Sequence, residues 1–328
     1  MENTRQRTPM VRAVVAVIAL AGLLLSGCQA AANTADYPNK RVQLLVGYGA
    51  GGANDTTARS FGQAFEEVSG GTMLVVNRPG AGGIIAATEA MVEAADGHRL
   101  FLAPIAAFTS APLMQEVRYG DDDFRSFAVL TEQPLVLVAP ADSPYETIED
   151  LAGATGTVTH TSFGEGHMTQ LVAGEVLNAL GVDSQAIPFD GSPAAVQSVA
   201  NGESDLGVID ITSARPRVQA GDLKALAVTG PVRVKGLEDV PTITEAGFPE
   251  ADYVVSQALV GPADIPDDVA AQIEALAAEA VKQPVFQDYL ETTGSHLPKQ
   301  PGPEWMTGYV PMERARTEDS YDKLGVER

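Results

Sequence analysis

The chain has little of what most protein chemistry rests on. Its 328 residues include one cysteine, Cys28, so an intrachain disulfide is excluded and a cysteine-based zinc site is not expected. The four histidines, His98, His160, His167 and His296, are scattered and lack the spacing of a histidine-rich metal site. Cations are scarce: 21 Lys and Arg stand against 43 Asp and Glu, a formal net charge of −22. Phosphate binding needs clustered Lys and Arg, so nucleic acid is not an expected partner. The sequence has no G-x-S-x-G elbow, no H-E-x-x-H pair and no available cysteine nucleophile. Glu165 and His167 could be imagined as an acid–base pair, but they lack a nucleophile and a third partner, so no enzyme activity is expected.

What is present is enough for real cores. Apolar residues make up 45% and charged residues 20%, which argues against disorder, and the length suits one large domain or two medium ones. The first segment reads as an address. Arg5, Arg7 and Arg12 precede the uncharged apolar run Ala13 to Leu25, which is too short to span a bilayer and has the shape of a signal-peptide core. The run ends in Leu25-Ser26-Gly27-Cys28, which resembles the lipobox of bacterial lipoproteins. Residues 1–27 are expected to be removed, Cys28 to carry a lipid, and residues 28–35 to be a tether. That places the protein outside the cytoplasmic membrane, anchored by lipid on Cys28.

From Val42 onward, short apolar strands alternate with helical patterns. Strands are expected at Val42–Val46, Met73–Val76, Leu100–Ala103, Leu135–Ala139, Val158–Thr161, Ala186–Phe189, Leu206–Ile209, Leu226–Val228 and Val254–Val260. Helices are expected at Asp55–Val68, Ile84–Ala95, Met168–Leu180, Ala194–Ala200, Val269–Lys282 and Val285–Thr292. This alternation predicts an α/β architecture with mostly parallel sheets. Leu135 to Pro140 and Tyr253 to Gly261 are apolar strands closed by proline-marked turns, and they read as crossings between lobes. One lobe then comprises about 36–137 plus 258–328 and the other about 138–257, with a hinge and a cleft between them.

Two glycine-rich loops follow strands and enter helices. In the first, Gly47, Gly49 and Gly52 fit G-x-G-x-x-G, but a dinucleotide site needs an acidic residue at the end of the second strand, where Asn77 stands. No cofactor is therefore expected. The second loop is Asn77-Arg78-Pro79-Gly80-Ala81-Gly82-Gly83. Side by side at the carboxyl edge of a sheet, the two loops would offer amides to a carboxylate or phosphate with little use of charged side chains; alone, they could be simple tight turns.

Val46 through Arg59, together with Asn77 to Gly83, resembles the two signature loops of the Bug proteins, the extracytoplasmic solute receptors of tripartite tricarboxylate transporters. Further matching stretches are Tyr37-Pro38-Asn39-Lys40, Ala141-Asp142-Ser143-Pro144, Phe189 to Ala194, Ala220 to Val228 and Val240 to Gly247. The resemblance implies a two-lobed periplasmic-binding-protein fold with two crossover strands. It implies a small carboxylate gripped between the lobes, membrane transporter subunits as partners, and a monomer. Carried over by motif, Tyr48, Gly51, Gly52 and Asp55 match the first loop, and Pro79, Gly80, Ala81 and Gly82 the second. Ala106 and Ala107 match a third contact region. In the other lobe, Gly164 and Gly166 match a G-x-G stretch, Asp190, Gly191 and Ser192 a contact loop, and Asp210 a position near the distal end of the ligand.

Several positions depart from the family pattern. Gly47 stands where proline is usual, Tyr48 where Phe is usual, and Ile84 and Ala86 where Asn and Gly are usual. His167 replaces a small hydroxyl residue, and Gln170 replaces a histidine. Asp55 is open to two readings, a helix N-cap or a ligand contact. His167 either faces solvent or donates to the distal end of the ligand. Asp210 either caps the following turn or accepts from an ammonium or hydroxyl of the ligand. A lipoprotein sensor for a signalling partner is the alternative to a transport receptor, and an exported hydrolase is a more distant one.

Overall fold

The computed structural model describes residues 37–189, 191–298 and 302–328. Cys28 and the leader lie outside the described residues.

The first sheet is ordered β2-β1-β3-β10-β4 and comprises β1 (Val42–Val46), β2 (Met73–Asn77), β3 (Arg99–Pro104), β4 (Phe124–Gln133) and β10 (Val255–Pro262). The second set comprises β8 (Gly207–Asp210), β5 (Leu135–Pro140) and β9 (Leu223–Val228), in the order β8-β5-β9. Beside it, β6 (Val158–Ser162) pairs in parallel with β7 (Ser184–Pro188), and a parallel bridge from His160 to Leu206 joins β6 to the start of β8.

One strand in each set runs against the others, and in each case it is the strand that has just crossed over. β10 is antiparallel to β3 and β4, and β5 is antiparallel to β8 and β9. The remaining strands run parallel, as the alternating pattern predicted. The chain changes sheet at Pro134, between β4 and β5, and again between β9 and β10, so the two expected crossings, Leu135–Pro140 and Tyr253–Gly261, largely coincide with the arriving strands themselves.

Register decides which edges face each other. Leu135 at the start of β5 pairs with Asp210 at the end of β8, and Val255 at the start of β10 pairs with Gln133 at the end of β4. Both crossings therefore join the carboxyl edge of one sheet to the carboxyl edge of the other, and the loops that follow the parallel strands line two facing rows. In open α/β sheets that edge is where ligands bind.

The helices cover both sheets. α1 (Ala53–Ser69), α7 (Asp267–Ala280) and α8 (Pro284–Thr293) close one face of the first sheet through Phe61, Phe65, Ile273 and Phe286. Each such fully buried side chain contributes about 1.5–3 kcal/mol. α2 (Ile84–Met91) covers the other face through Ala86, Ala87 and Ala90. α4 (Met168–Ala179) covers the second sheet with Leu171, Val172 and Val176, and α5 (Ser192–Ala200) and α6 (Ile211–Ala220) cover its opposite face.

Sequence periodicity missed β4, α6, the short α3 (Ser110–Met114) and the last helix, α9 (Tyr309–Leu324). Only Pro134 separates β4 from β5, so the two strands merge in the sequence. α6 carries an internal Pro216, and α9 is charged on most of its surface. α9 begins against the first sheet's core at Val310 and ends in the second sheet's core at Tyr321, so it belongs to both lobes.

Candidate functional site between the two sheets

The three loops of the first lobe touch one another. A Cβ on Gly47 would stand 2.6 Å from the Gly83 Cα, so only glycine lets the first two loops approach this closely. A Cβ on Gly83 would in turn lie 3.6 Å from that of Ala107, in the turn Ile105–Ala107 that follows β3. The Tyr48 hydroxyl donates to the Gly82 carbonyl at 3.3 Å, tying the first loop to the second. Burial raises the pKa of that phenol, so it stays a neutral donor.

The second loop holds an unusual backbone. Gly80, Ala81, Gly82 and Gly83 have φ of 139, 48, 62 and 101°, and Ala81 is the one non-glycine residue with positive φ among the described residues. A left-handed alanine costs roughly 1–2 kcal/mol. The run turns successive peptide units so that the Ala81 and Gly82 amides find no acceptor among the described residues. In the first loop, the amides of Ala53 and Asn54 open α1 and are unpaired by helix geometry. The helix dipole adds partial positive charge at the same point.

Asp55 is not the N-cap; that residue is Gly52. Asp55 lies in the first turn and is 2% exposed. Its carboxylate accepts from the Gly51 amide at 2.8 Å, from Arg59 at 2.9 Å through two nitrogens, and from Asn77 Nδ2 at 3.0 Å. The Arg59 hydrogen bond leads the causes that hold its pKa down at about 2, with Gly51 and Asn77 adding to it. With its acceptor sites occupied, Asp55 shapes the loop and is not free to meet a ligand, and the Gly51 amide bonded to it is likewise committed. Asn77 also donates to the Tyr48 carbonyl at 3.0 Å. The residue that ruled out a ribose site is therefore a clamp on the first loop, a role that its place at the end of a strand did not reveal.

In the second lobe, the candidates follow β6, β7 and β8. Gly164 is half-buried with φ 127°, and its carbonyl accepts from Ser162 Oγ at 2.6 Å. Gly166 is buried and fully engaged: its amide donates to Gln170 at 2.8 Å and its carbonyl accepts from the Tyr321 hydroxyl at 2.7 Å. Its backbone groups are therefore already paired within the protein. His167 is the N-cap of α4, and its Nδ1 accepts from the Thr169 amide at 3.2 Å. That leaves the proton on Nε2. Burial pushes the ring's pKa down to about 4, so it is a neutral donor rather than a solvent-facing cation.

Gly191 caps α5 with φ 97° and has open space where a Cβ would stand, while Ser192 is buried. Asp190 lies outside the described residues. Asp210 caps α6, accepting from the Ser213 amide at 2.9 Å and from the Thr212 hydroxyl through the same oxygen. Asp210 therefore caps the helix, and its second carboxylate oxygen has no hydrogen-bond partner among the described residues.

Ala106 from the first lobe and Gly166 and His167 from the second line one cavity of about 20 Å³, together with Ser110, Tyr253 and Thr317. That is room for a single water. Pro79, Ala81, Gly82, Gly51 and Gly52 are exposed, whereas Ala107 is buried beneath them, with its carbonyl accepting from Tyr119 at 2.5 Å. The loops of the first lobe thus present an exposed, amide-rich surface over a buried floor.

The family profile described as "Tripartite tricarboxylate transporter family receptor" matches residues 57–300. The chain is 28% identical to the protein BugT of Bordetella pertussis over 71% of this chain and 74% of the relative. A TctC solute-binding protein from Polaromonas is 27% identical with a TM-score of 0.77, covering 88% of this chain and 99% of that one. MatC from Rhodopseudomonas palustris, solved with bound malate, is 27% identical with a TM-score of 0.67, covering 88% of this chain and 100% of that one. The Polaromonas neighbour is a solute-binding protein, and the matching family model is that of a transporter receptor. In sequence and in its two-lobed periplasmic-binding fold, the chain belongs to the Bug family of tripartite tricarboxylate transporter receptors.

Proposed function

We propose that this receptor is held at the membrane by a lipid on Cys28, captures a small carboxylate in the cleft between its lobes, and delivers it to the membrane subunits of a tripartite tricarboxylate-type transporter. The observation that carries the reading is the pair of adjoining loops with unpaired amides at Ala53, Asn54, Ala81 and Gly82, beside the start of α1. Amides and a helix dipole bind an anion without a cation, and that suits a chain of net charge −22, whose overall field repels anions. Tyr48, Pro79, Gly80 and Ala106 shape this half of the site, and Gly164, His167, Asp190, Gly191, Ser192 and Asp210 would meet the rest of the ligand.

The distal half favours a hydrogen-bond donor on the ligand. The free Asp210 oxygen would repel a second carboxylate but accept from a hydroxyl or ammonium. MatC was solved with malate, a dicarboxylate that also carries a hydroxyl, and of those groups only the hydroxyl suits the Asp210 oxygen. Closure follows only from the ligand's differential affinity for the open and closed states.

A thermal-shift series on the purified protein tests the reading, with malate, succinate, citrate, aspartate and aromatic acids against uncharged sugars. A carboxylate at about 100 times its dissociation constant adds roughly 2.7 kcal/mol and moves the midpoint by several degrees. Stabilisation by one acid series and none by sugars supports the proposal. A flat response to every acid, in protein shown by mass spectrometry to be empty, overturns it. Asp210→Asn that binds dicarboxylates no better counts against the distal assignment. Cys28→Ser tests the anchor, and a variant that stays in the membrane fraction refutes it.

A further inference from the structure

We infer that α9 is a brace across the cleft floor, with Arg314 and Tyr321 as positioning residues for one site loop in each lobe. The inference deepens the receptor reading and rests on it for its meaning, but its geometry stands apart from any ligand. Arg314 and Tyr321 are seven residues apart, two turns of one helix, so their side chains leave the same face about 10 Å apart.

At one end, Arg314 Nε donates to the Phe108 carbonyl at 2.7 Å, and its Nη2 pairs with Asp121 at 2.5 Å. Phe108 directly follows Ala106 and Ala107, the third contact loop of the first lobe. At the other end, the Tyr321 hydroxyl donates to the Gly166 carbonyl at 2.7 Å, directly before the His167 cap. A Cβ on Gly166 would come within 2.5 Å of that hydroxyl and 3.2 Å of Met114 Sδ from the first lobe, so the close approach of the brace requires glycine there. Between the two ends, Arg316 lies 3.8 Å over the Tyr253 ring, and Ser320 links the Tyr253 hydroxyl to Glu175 of α4. The same helix thus touches both lobes and the crossing that leads into β10.

A helix rises by a fixed amount per residue and resists compression. The separation of the third loop of the first lobe from the Gly164–His167 loop is therefore set by α9, and closure pivots there. The glycine loops and the Gly191 and Asp210 caps, which α9 does not hold, swing together over the ligand.

Hydrogen–deuterium exchange on the intact protein, without ligand, tests the brace. In Tyr321→Phe, exchange is expected to rise at least about fivefold in the peptide covering 163–169 and also in the peptide covering 105–110. In Arg314→Gln, the same two peptides respond, although its own partners, Phe108 and Asp121, both lie in the first lobe. Strands β1 and β2 remain as protected as in the parent. If each variant loosens only its own loop, or if every region loosens equally, the brace is wrong. Malate titration is a separate arm. If malate binds the parent, both variants weaken it about tenfold, chiefly by faster release, while Tyr321→Trp does not restore it. Unchanged malate affinity in both variants also refutes the brace. If malate fails to bind the parent, the choice of ligand fails while the exchange result still decides the brace.

Discussion

The Asn77 amide and the Asp55 carboxylate are joined by a 3.0 Å hydrogen bond, and that bond couples the end of β2 to the start of α1. Through it, two loops separated in sequence are joined: Asp55 fixes Gly51, and Asn77 fixes Tyr48.

Breaking that pair should cost both stability and binding. Asp55→Ala is expected to lose about 2 kcal/mol at neutral pH and to weaken carboxylate binding on the order of tenfold. Its folded pKa, at about 2, lies below the ordinary carboxylate value, so its contribution is present above pH 4 and fades as pH falls towards 2. Urea melts of parent and variant between pH 2 and 7 check this; curves that stay parallel across that range refute it.

The close approach of the first two loops should tolerate no methyl group. Gly47→Ala places a Cβ 2.6 Å from the Gly83 backbone, and overpacking of this kind costs about 1–3 kcal/mol. Gly49→Ala, which meets nothing within 4 Å, should be close to neutral. A calorimetric comparison in which the two variants melt together would contradict the loop contact.

Glu313 is a buried carboxyl whose pKa is raised, chiefly by desolvation, with Arg316 opposing and Asp252 and Glu132 reinforcing the rise. A raised carboxyl pKa stabilises the fold below its unfolded value, and that stability is lost as pH rises through the folded value. Glu313→Gln should therefore raise the melting midpoint near pH 7.5, on the order of 2 °C, and the gain should shrink as pH falls towards 4.5. A gain that is the same at both pH values would show that charge is not its source.

His160 and His167 have pKa values pushed down by burial to about 4. The folded protein holds both rings neutral, so stability is full above the ordinary value near 6.5 and is lost as pH falls from there towards 4. His160 Nδ1 is buried without a partner among the described residues, and His160→Gln should flatten part of that acid-side loss. Denaturation midpoints measured at pH 4.5, 5.5 and 7 in parent and variant check the slope; identical slopes would acquit His160.

The positions of the loops were legible because a strand followed by glycines and a helix is a local pattern. Val42–Val46 appeared at its predicted bounds, and the second loop's glycines coincide with its positive φ angles. The roles within the loops were less legible. Motif alone did not show that Asp55 and Gly166 hold neighbouring backbone or that His167 caps α4. Arg314 and Tyr321 gave no signal, because α9 is charged on most sides and lacks a clear apolar stripe.

The sequence by itself determined the alternation of strands and helices, the two glycine loops, the scarcity of cations and the family, since these depend on residues near one another in the chain. Tertiary structure alone decided which amides stay free and which side chains are committed. Asp55 meets Asn77 across 22 positions and Tyr321 meets Gly166 across 155, and whether a donor faces a ligand or a neighbour depends on what packing brings within about 3 Å of it.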